Sequence, residues 1–78
     1  MTSAICWPEL LAELCQIGMP PKVATRAVNG RISCASIRSY MRKGVEPSHA
    51  RGELILDLWC EKTGKRREDA PRRSLRRP

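Results

Sequence analysis

Six basic side chains and no carboxylate lie between Pro20 and Lys43. The six are Lys22, Arg26, Arg31, Arg38, Arg42 and Lys43. Apolar residues recur between them at helical spacing, namely Val23, Ala24, Ala27, Val28, Ile32, Ile37, Tyr40 and Met41. The segment therefore predicts two short helices around a tight turn, with an apolar stripe facing inward and positive charge facing outward. A surface of this kind suits a polyanion such as nucleic acid.

The net charge of +7 is unevenly distributed along the 78 residues. Residues 62–78 hold eight Lys or Arg against Glu68 and Asp69, whereas residues 1–61 hold seven against six acids. A chain of this length forms one domain at most. Its basic excess favours nucleic acid or another acidic partner, and simple solubility is the alternative explanation.

Several kinds of chemistry lack the residues that they need. The cysteines Cys6, Cys15, Cys34 and Cys60 are not spaced as zinc ligands, and His49 is the only imidazole. The sequence has no glycine-rich phosphate loop and no nucleophile beside a base. We therefore expect free thiols, no metal or cofactor, and no enzymatic activity. The absence of a secretion signal and of a membrane-spanning run predicts a cytoplasmic protein.

Start and stop signals predict an all-α domain of four to five helices over residues 1–63. The starts are marked by Pro8, Pro21, Ser33 and Ser48. The ends are marked by Gly18, Gly30, Gly44 and Gly64. In the second helix, spacing places Val23, Ala24, Ala27 and Val28 inward. In the third, it places Ile37, Tyr40 and Met41 inward.

The fourth helix has an unusually wide apolar face. Glu53, Asp57 and Glu61 form an acidic stripe, and apolar residues from Leu54 to Cys60 cover the remaining arc of roughly 240°. Such an arc predicts either a central helix or a second subunit packed on Leu56 and Cys60. We expect a homodimer, since a small core favours burying surface elsewhere.

Residues 64–78 are dense in arginine and poor in apolar residues, which predicts a disordered basic tail. Its arginines are Arg66, Arg67, Arg72, Arg73, Arg76 and Arg77. A tail of this composition can follow a DNA backbone, enter a minor groove or bind RNA.

The segment from Ile32 to Gly44, I-S-C-A-S-I-R-S-Y-M-R-K-G, resembles the lambda-repressor-like helix-turn-helix family, which includes small phage and prophage regulators. Ser33, Ile37, Tyr40 and Gly44 occupy the places of that family's motif, and the likeness extends roughly over residues 5 to 63. One departure concerns Val23 and Ile32, which are nine positions apart where the family has about six. The second helix or the turn should therefore be longer by about one helical turn.

The resemblance implies a sequence-specific transcriptional regulator that reads double-stranded DNA with its third helix, residues 33–43. The implied base-reading residues are Cys34, Ala35, Arg38, Ser39 and Arg42. The implied phosphate contacts are Lys22, Arg26, Arg31, Ser33 and Lys43.

A different class of function remains open from the residues alone. The same fold can act as a small inhibitor or antiterminator that binds a host protein such as RNA polymerase. Its contact surface would then be the acidic stripe and the wide apolar arc. Charge reversal at Arg38 and Arg42 separates the two classes, because it abolishes DNA reading and spares protein binding.

Overall fold

The computed structural model describes residues 3–74, with side chains from Ile5 to Arg72. Its body is helical, as predicted, and contains four α-helices: α1 (Trp7–Gln16), α2 (Pro21–Ala27), α3 (Cys34–Arg42) and α4 (His49–Thr63). A 3₁₀ turn (Arg67–Asp69) follows α4. Two strands of three residues, β1 (Ser3–Ile5) and β2 (Arg72–Ser74), were not predicted, and they pair antiparallel.

Capping geometry confirms the predicted starts of α3 and α4 and the predicted end of α4. The Ser33 hydroxyl oxygen accepts the Ser36 amide at 3.1 Å, and the Ser48 oxygen accepts the Arg51 amide at 3.3 Å. Each bond satisfies one of the amides that a helix start leaves without an internal partner. Helix α4 ends at Gly64, whose φ of 74° is the left-handed conformation that glycine adopts without strain.

The core lies where α1 and α2 pack against α3, and α4 closes it. Its fully buried side chains are Leu10, Leu11, Leu14, Ile32, Ile37, Ile55 and Trp59. The Trp59 indole N–H is not left unsatisfied, because it donates to Oε1 of Glu13 on α1 at 3.1 Å. This core fixes the rotation of α3 about its axis and therefore decides which of its residues reach solvent.

The inward face predicted for α2 is only half right. Ala24 and Val28 are buried, but Ala27 is exposed and Val23 is 38% exposed. Helix α2 has only seven residues, so the extra length between Val23 and Ile32 lies in the connection to α3 and not in the helix. Asn29 and Gly30 both take positive φ values there.

Disorder was predicted for residues 64–78, and the structure differs from that prediction over residues 65–74. Arg67 binds Glu53 and Asp57 of α4, Ala70 is buried, and the Cys6 amide donates to the Pro71 carbonyl at 2.8 Å. We call β1, the 3₁₀ turn and β2 the terminal clasp. It could not be foreseen from composition, because its strand pair joins residues at opposite ends of the chain.

The wide apolar arc of α4 is covered by the chain itself. Leu56 is 4% exposed and shares a shallow cavity with Ile5 and Trp7, so it is not available to a second subunit in this conformation. Cys60 is half-buried and packs against the same core, and burial raises the pKa of its thiol. The first explanation of the arc, a central helix, fits these positions, whereas the predicted dimer interface at Leu56 does not.

Candidate nucleic-acid interface

Helix α3 presents a basic outer face because its other face is anchored in the core. Ile37 and Tyr40 are buried, at 2% and 4% exposure. Arg38 and Arg42 are exposed and lie one turn apart, about 6 Å along the axis and about 40° around it. Ala35 is exposed on the same helix. The two remaining residues predicted to read bases, Cys34 and Ser39, are half-buried.

The flanking cations are also exposed. Lys22 and Arg26 lie on α2, Arg31 lies in the connection, and Lys43 is the residue at which α3 ends. Among residues 5–72, none of these four, and neither Arg38 nor Arg42, is within ion-pair distance of a carboxylate. The α2–α3 surface therefore keeps its positive charge un-neutralised. We call this set of six cations the basic face.

The ion pairs of the described residues all involve cations from residues 65–67. Arg67 donates through Nη2 to both carboxylate oxygens of Glu53, at 2.6 Å each, and through Nη1 to Oδ1 of Asp57 at 3.1 Å. Lys65 lies 4.0 Å from Glu13. The hydrogen bond from Arg67 lowers the pKa of the Glu53 carboxyl and, reciprocally, raises that of the guanidinium. Lys65 thus pairs with an acid of α1 and the clasp, through Arg67, with two acids of α4, whereas the basic face stays free.

Ser33 has a structural role that the prediction of a phosphate contact did not include. Its hydroxyl oxygen accepts the Ser36 amide and lies 3.0 Å from the Ser36 hydroxyl. With both interactions made inside the first turn of α3, the side chain caps the helix. It is poorly placed to donate to a phosphate as well.

The predicted nucleic-acid contacts of the C-terminal arginines divide into three groups. The Arg67 guanidinium is held by two carboxylates of α4 in this structure, so it is engaged within the fold. Arg66 lies 3.9 Å from Glu68, and Arg72 donates to the Arg67 carbonyl at 3.4 Å. Arg73 belongs to β2, but its side chain lies outside the described residues, as do Arg76 and Arg77 entirely.

One interaction next to the basic face was missed at the level of sequence. Arg51, in the first turn of α4, donates from Nη1 to the Tyr40 hydroxyl at 3.2 Å and so joins α4 to α3. A signal was present, because a cation in the first turn of a helix opposes the helix dipole and is unusual on grounds of stability. Arg51 lies outside the carboxylate-free segment between Pro20 and Lys43.

Other kinds of site find no support within the described residues. No three His, Cys, Asp or Glu side chains among them converge as a metal ion requires. The cysteines are free thiols. No helix in this part of the chain has the length and apolar content to cross a membrane.

Comparison with family models, with curated proteins and with solved structures finds no match to this chain. The likeness to lambda-repressor-like domains therefore rests on the sequence alone, chiefly on the residues from Ile32 to Gly44.

Proposed function

We propose that this chain is a sequence-specific regulator that binds double-stranded DNA with α3 in the major groove. The observation that carries the proposal is the segregation of charge. The six cations of the basic face are exposed and unpaired in the described structure, while Glu53 and Asp57 are neutralised by Arg67. An uncompensated positive surface around one exposed helix is the electrostatic pattern of a DNA-reading element.

Arg38 and Arg42 are the residues best placed to read bases. An arginine can donate two parallel hydrogen bonds to O6 and N7 of guanine, and each such pair discriminates by about 1–3 kcal/mol. Their separation of about 6 Å along the helix is close to two base-pair steps. Ala35 offers a methyl group for contact with thymine.

The flanking cations have a different task. Lys22, Arg26, Arg31 and Lys43 surround α3 at its α2 side and at its C-terminal end. Side chains in such positions bind phosphates and set the register of the helix without reading sequence. Each phosphate neutralised adds about 0.9 to the slope of log K against log salt. With four such contacts and two base-reading arginines, the affinity should depend steeply on salt.

The longer connection between α2 and α3 is compatible with this role. The orientation of α3 is set by Ile37 and Tyr40 in the core, and not by the length of α2. Val28 and Ile32 are both buried, so the connection is fastened at each end. Arg31 is carried on this connection and extends the basic face beyond the helices.

The test is selection from random duplex DNA, followed by titration of the recovered sequence at several salt concentrations. One short enriched motif is expected. Arg38→Gln and Arg42→Gln should each weaken binding to that motif by tenfold or more and relax preference at one base pair. Lys62→Gln is the matched control, since it removes the same charge from an exposed position at the far end of α4. No enriched motif, or equal losses in all three variants, would contradict the proposal.

The alternative, an inhibitor that binds a host protein such as RNA polymerase, is less well supported by these positions. Two of the three acids proposed as its contact surface are engaged by Arg67, and Leu56 of the apolar arc is buried. If charge reversal at Arg38 and Arg42 leaves the biological effect intact, the alternative becomes the better explanation. A palindromic motif with half-sites one helical turn apart would argue for two copies on one site.

A further inference from the structure

Arg51 occupies a position that local stability does not explain. It lies in the first turn of α4, two residues after the start of the helix, and its side chain is exposed. The N-terminal end of a helix carries partial positive charge, so a cation there is repelled by the dipole. An acid is the residue that stability favours at such a place, and the first turn of α4 contains none.

The partner of Arg51 fixes the guanidinium without neutralising it. Nη1 donates to the hydroxyl of Tyr40 at 3.2 Å, and a phenol hydroxyl is an uncharged acceptor. Tyr40 is 4% exposed, so its ring is held by the core of α3 and offers a firm anchor. The acid nearest along α4, Glu53, is already bound by Arg67. Within the described residues Arg51 therefore keeps its full charge and its remaining N–H donors.

This combination is typical of a side chain held ready for an anion. Arginine binds phosphate through parallel N–H donors in a planar fork, and fixing the fork beforehand reduces the freedom lost on binding. The anchor, Tyr40, belongs to the helix that carries Arg38 and Arg42. Because Tyr40 lies on the inward side of α3, Arg51 is placed beside the recognition helix and not on its outer face.

We propose that Arg51 binds a DNA backbone phosphate beside the groove that α3 enters, and that Tyr40 is the positioning residue that orients it. The inference rests on the proposed DNA binding and extends the basic face from α3 to the start of α4. On this proposal Arg51 contributes to the affinity for DNA and to the register of α3 on the duplex, but does not read sequence.

The test compares four variants on the selected DNA and on random duplex: Arg51→Gln, Arg51→Lys, Tyr40→Phe and Lys62→Gln as the matched loss of charge. Arg51→Gln should lower the salt slope by about 0.9 and weaken binding to both DNAs by the same factor, so that the specificity ratio is unchanged. Arg51→Lys should restore the slope, because the charge is retained. Lys62→Gln should leave slope and affinity as in the wild type.

The role of Tyr40 is isolated by a double-mutant cycle. Tyr40→Phe should weaken binding several-fold and keep the slope, because Arg51 can still reach the phosphate but is no longer held. Adding Tyr40→Phe to Arg51→Gln should cause no further loss, since the hydroxyl acts only through Arg51. Thermal melts of each variant separate these effects from unfolding.

The possible failures are distinguishable. If the wild type selects no motif, the proposed function fails. A different failure would leave the proposed function intact: a motif is found and Arg38→Gln weakens binding to it, but Arg51→Gln leaves the salt slope unchanged and alters only the melting temperature. Arg51 would then be a structural link between α3 and α4, and this inference would be wrong. If the losses of DNA affinity in the two single variants add up in the double variant, Tyr40 does not act through Arg51 and is not its positioning residue.

Discussion

Two substitutions of Ser33 should rank in one order for stability and in the opposite order for DNA binding. Its hydroxyl oxygen caps α3 by accepting a hydrogen bond from the Ser36 amide at 3.1 Å. Ser33→Ala removes the acceptor and leaves that amide without a partner in the helix. Ser33→Asp keeps an acceptor in the same place and adds a negative charge, which the dipole of α3 favours.

The expected size of the stability change follows from the cap and from the length of the chain. Replacing a capping serine by alanine costs about 1 kcal/mol. With an unfolding entropy of about 2.1 cal/mol/K per residue over 78 residues, 1 kcal/mol corresponds to a fall of about 6 °C in melting temperature. Ser33→Asp should melt close to the wild type.

DNA binding should rank the same two variants the other way. Ser33→Ala removes no phosphate contact, so its folded molecules should bind almost as the wild type does. Ser33→Asp places a carboxylate at the start of the helix proposed to enter the groove, and repulsion from the phosphates should weaken binding by tenfold or more. The assays are thermal melting followed by circular dichroism and titration of the selected duplex. Ser48→Ala, which removes the equivalent cap of α4, controls for general destabilisation.

Two outcomes would refute this reasoning separately. A melting temperature for Ser33→Ala within about 1 °C of the wild type would mean that the cap contributes little. Wild-type DNA affinity in Ser33→Asp would mean that the start of α3 does not approach the DNA, and the proposed docking would have to be abandoned.

Two further predictions concern the clasp and the packing of α4. Arg67→Gln should lower the urea midpoint at pH 7, and the difference from the wild type should vanish as the pH falls. The reason is that the pKa of Glu53 is depressed in the folded protein. The stability that the ionised Glu53 contributes is therefore present above its unfolded-state pKa of about 4.3 and is lost as the pH falls through its folded-state pKa. A midpoint difference that persists at pH 2 would contradict the assignment. Gly52→Ala should be nearly neutral, because the gain of about 1 kcal/mol in helix propensity offsets a Cβ only 3.2 Å from the Trp7 ring. Gly52→Leu should displace that ring and lower the free energy of unfolding, measured by urea titration, by about 1–3 kcal/mol. An unchanged urea midpoint would show that the ring is free to move.

The features that sequence predicted well are those decided within one helical turn. Ser33 and Ser48 cap the helices that follow them, because a capping bond joins residues three apart. Gly64 ends α4 for a reason confined to its own backbone. Such signals need no knowledge of the rest of the chain.

The features that sequence missed depend on which distant residues meet. The exposure of Val23 could not be inferred from spacing, because the stripe that a seven-residue helix buries is set by the angle at which it packs. Arg67 looked like part of a disordered run, since its carboxylate partners are ten or more residues away along the chain. The anchoring of Arg51 by Tyr40 likewise required the relative placement of two helices. The exposure of Ala35, Arg38 and Arg42 was predictable because the helical period of α3 places them away from Ile37 and Tyr40.

The terminal clasp has a consequence for the order of folding. It pairs Ser3 with Ser74, so almost the whole chain must be closed into a loop before this contact can form. The hydrogen bonds within each helix are local. The contacts of the clasp, in contrast, can offset the entropy lost on closing a long loop only after the two ends of the chain have been brought together. The clasp is therefore expected to form after the transition state. Strengthening it, for instance by a longer strand pair, should slow unfolding and leave the rate of folding unchanged, which the two arms of a chevron plot would distinguish.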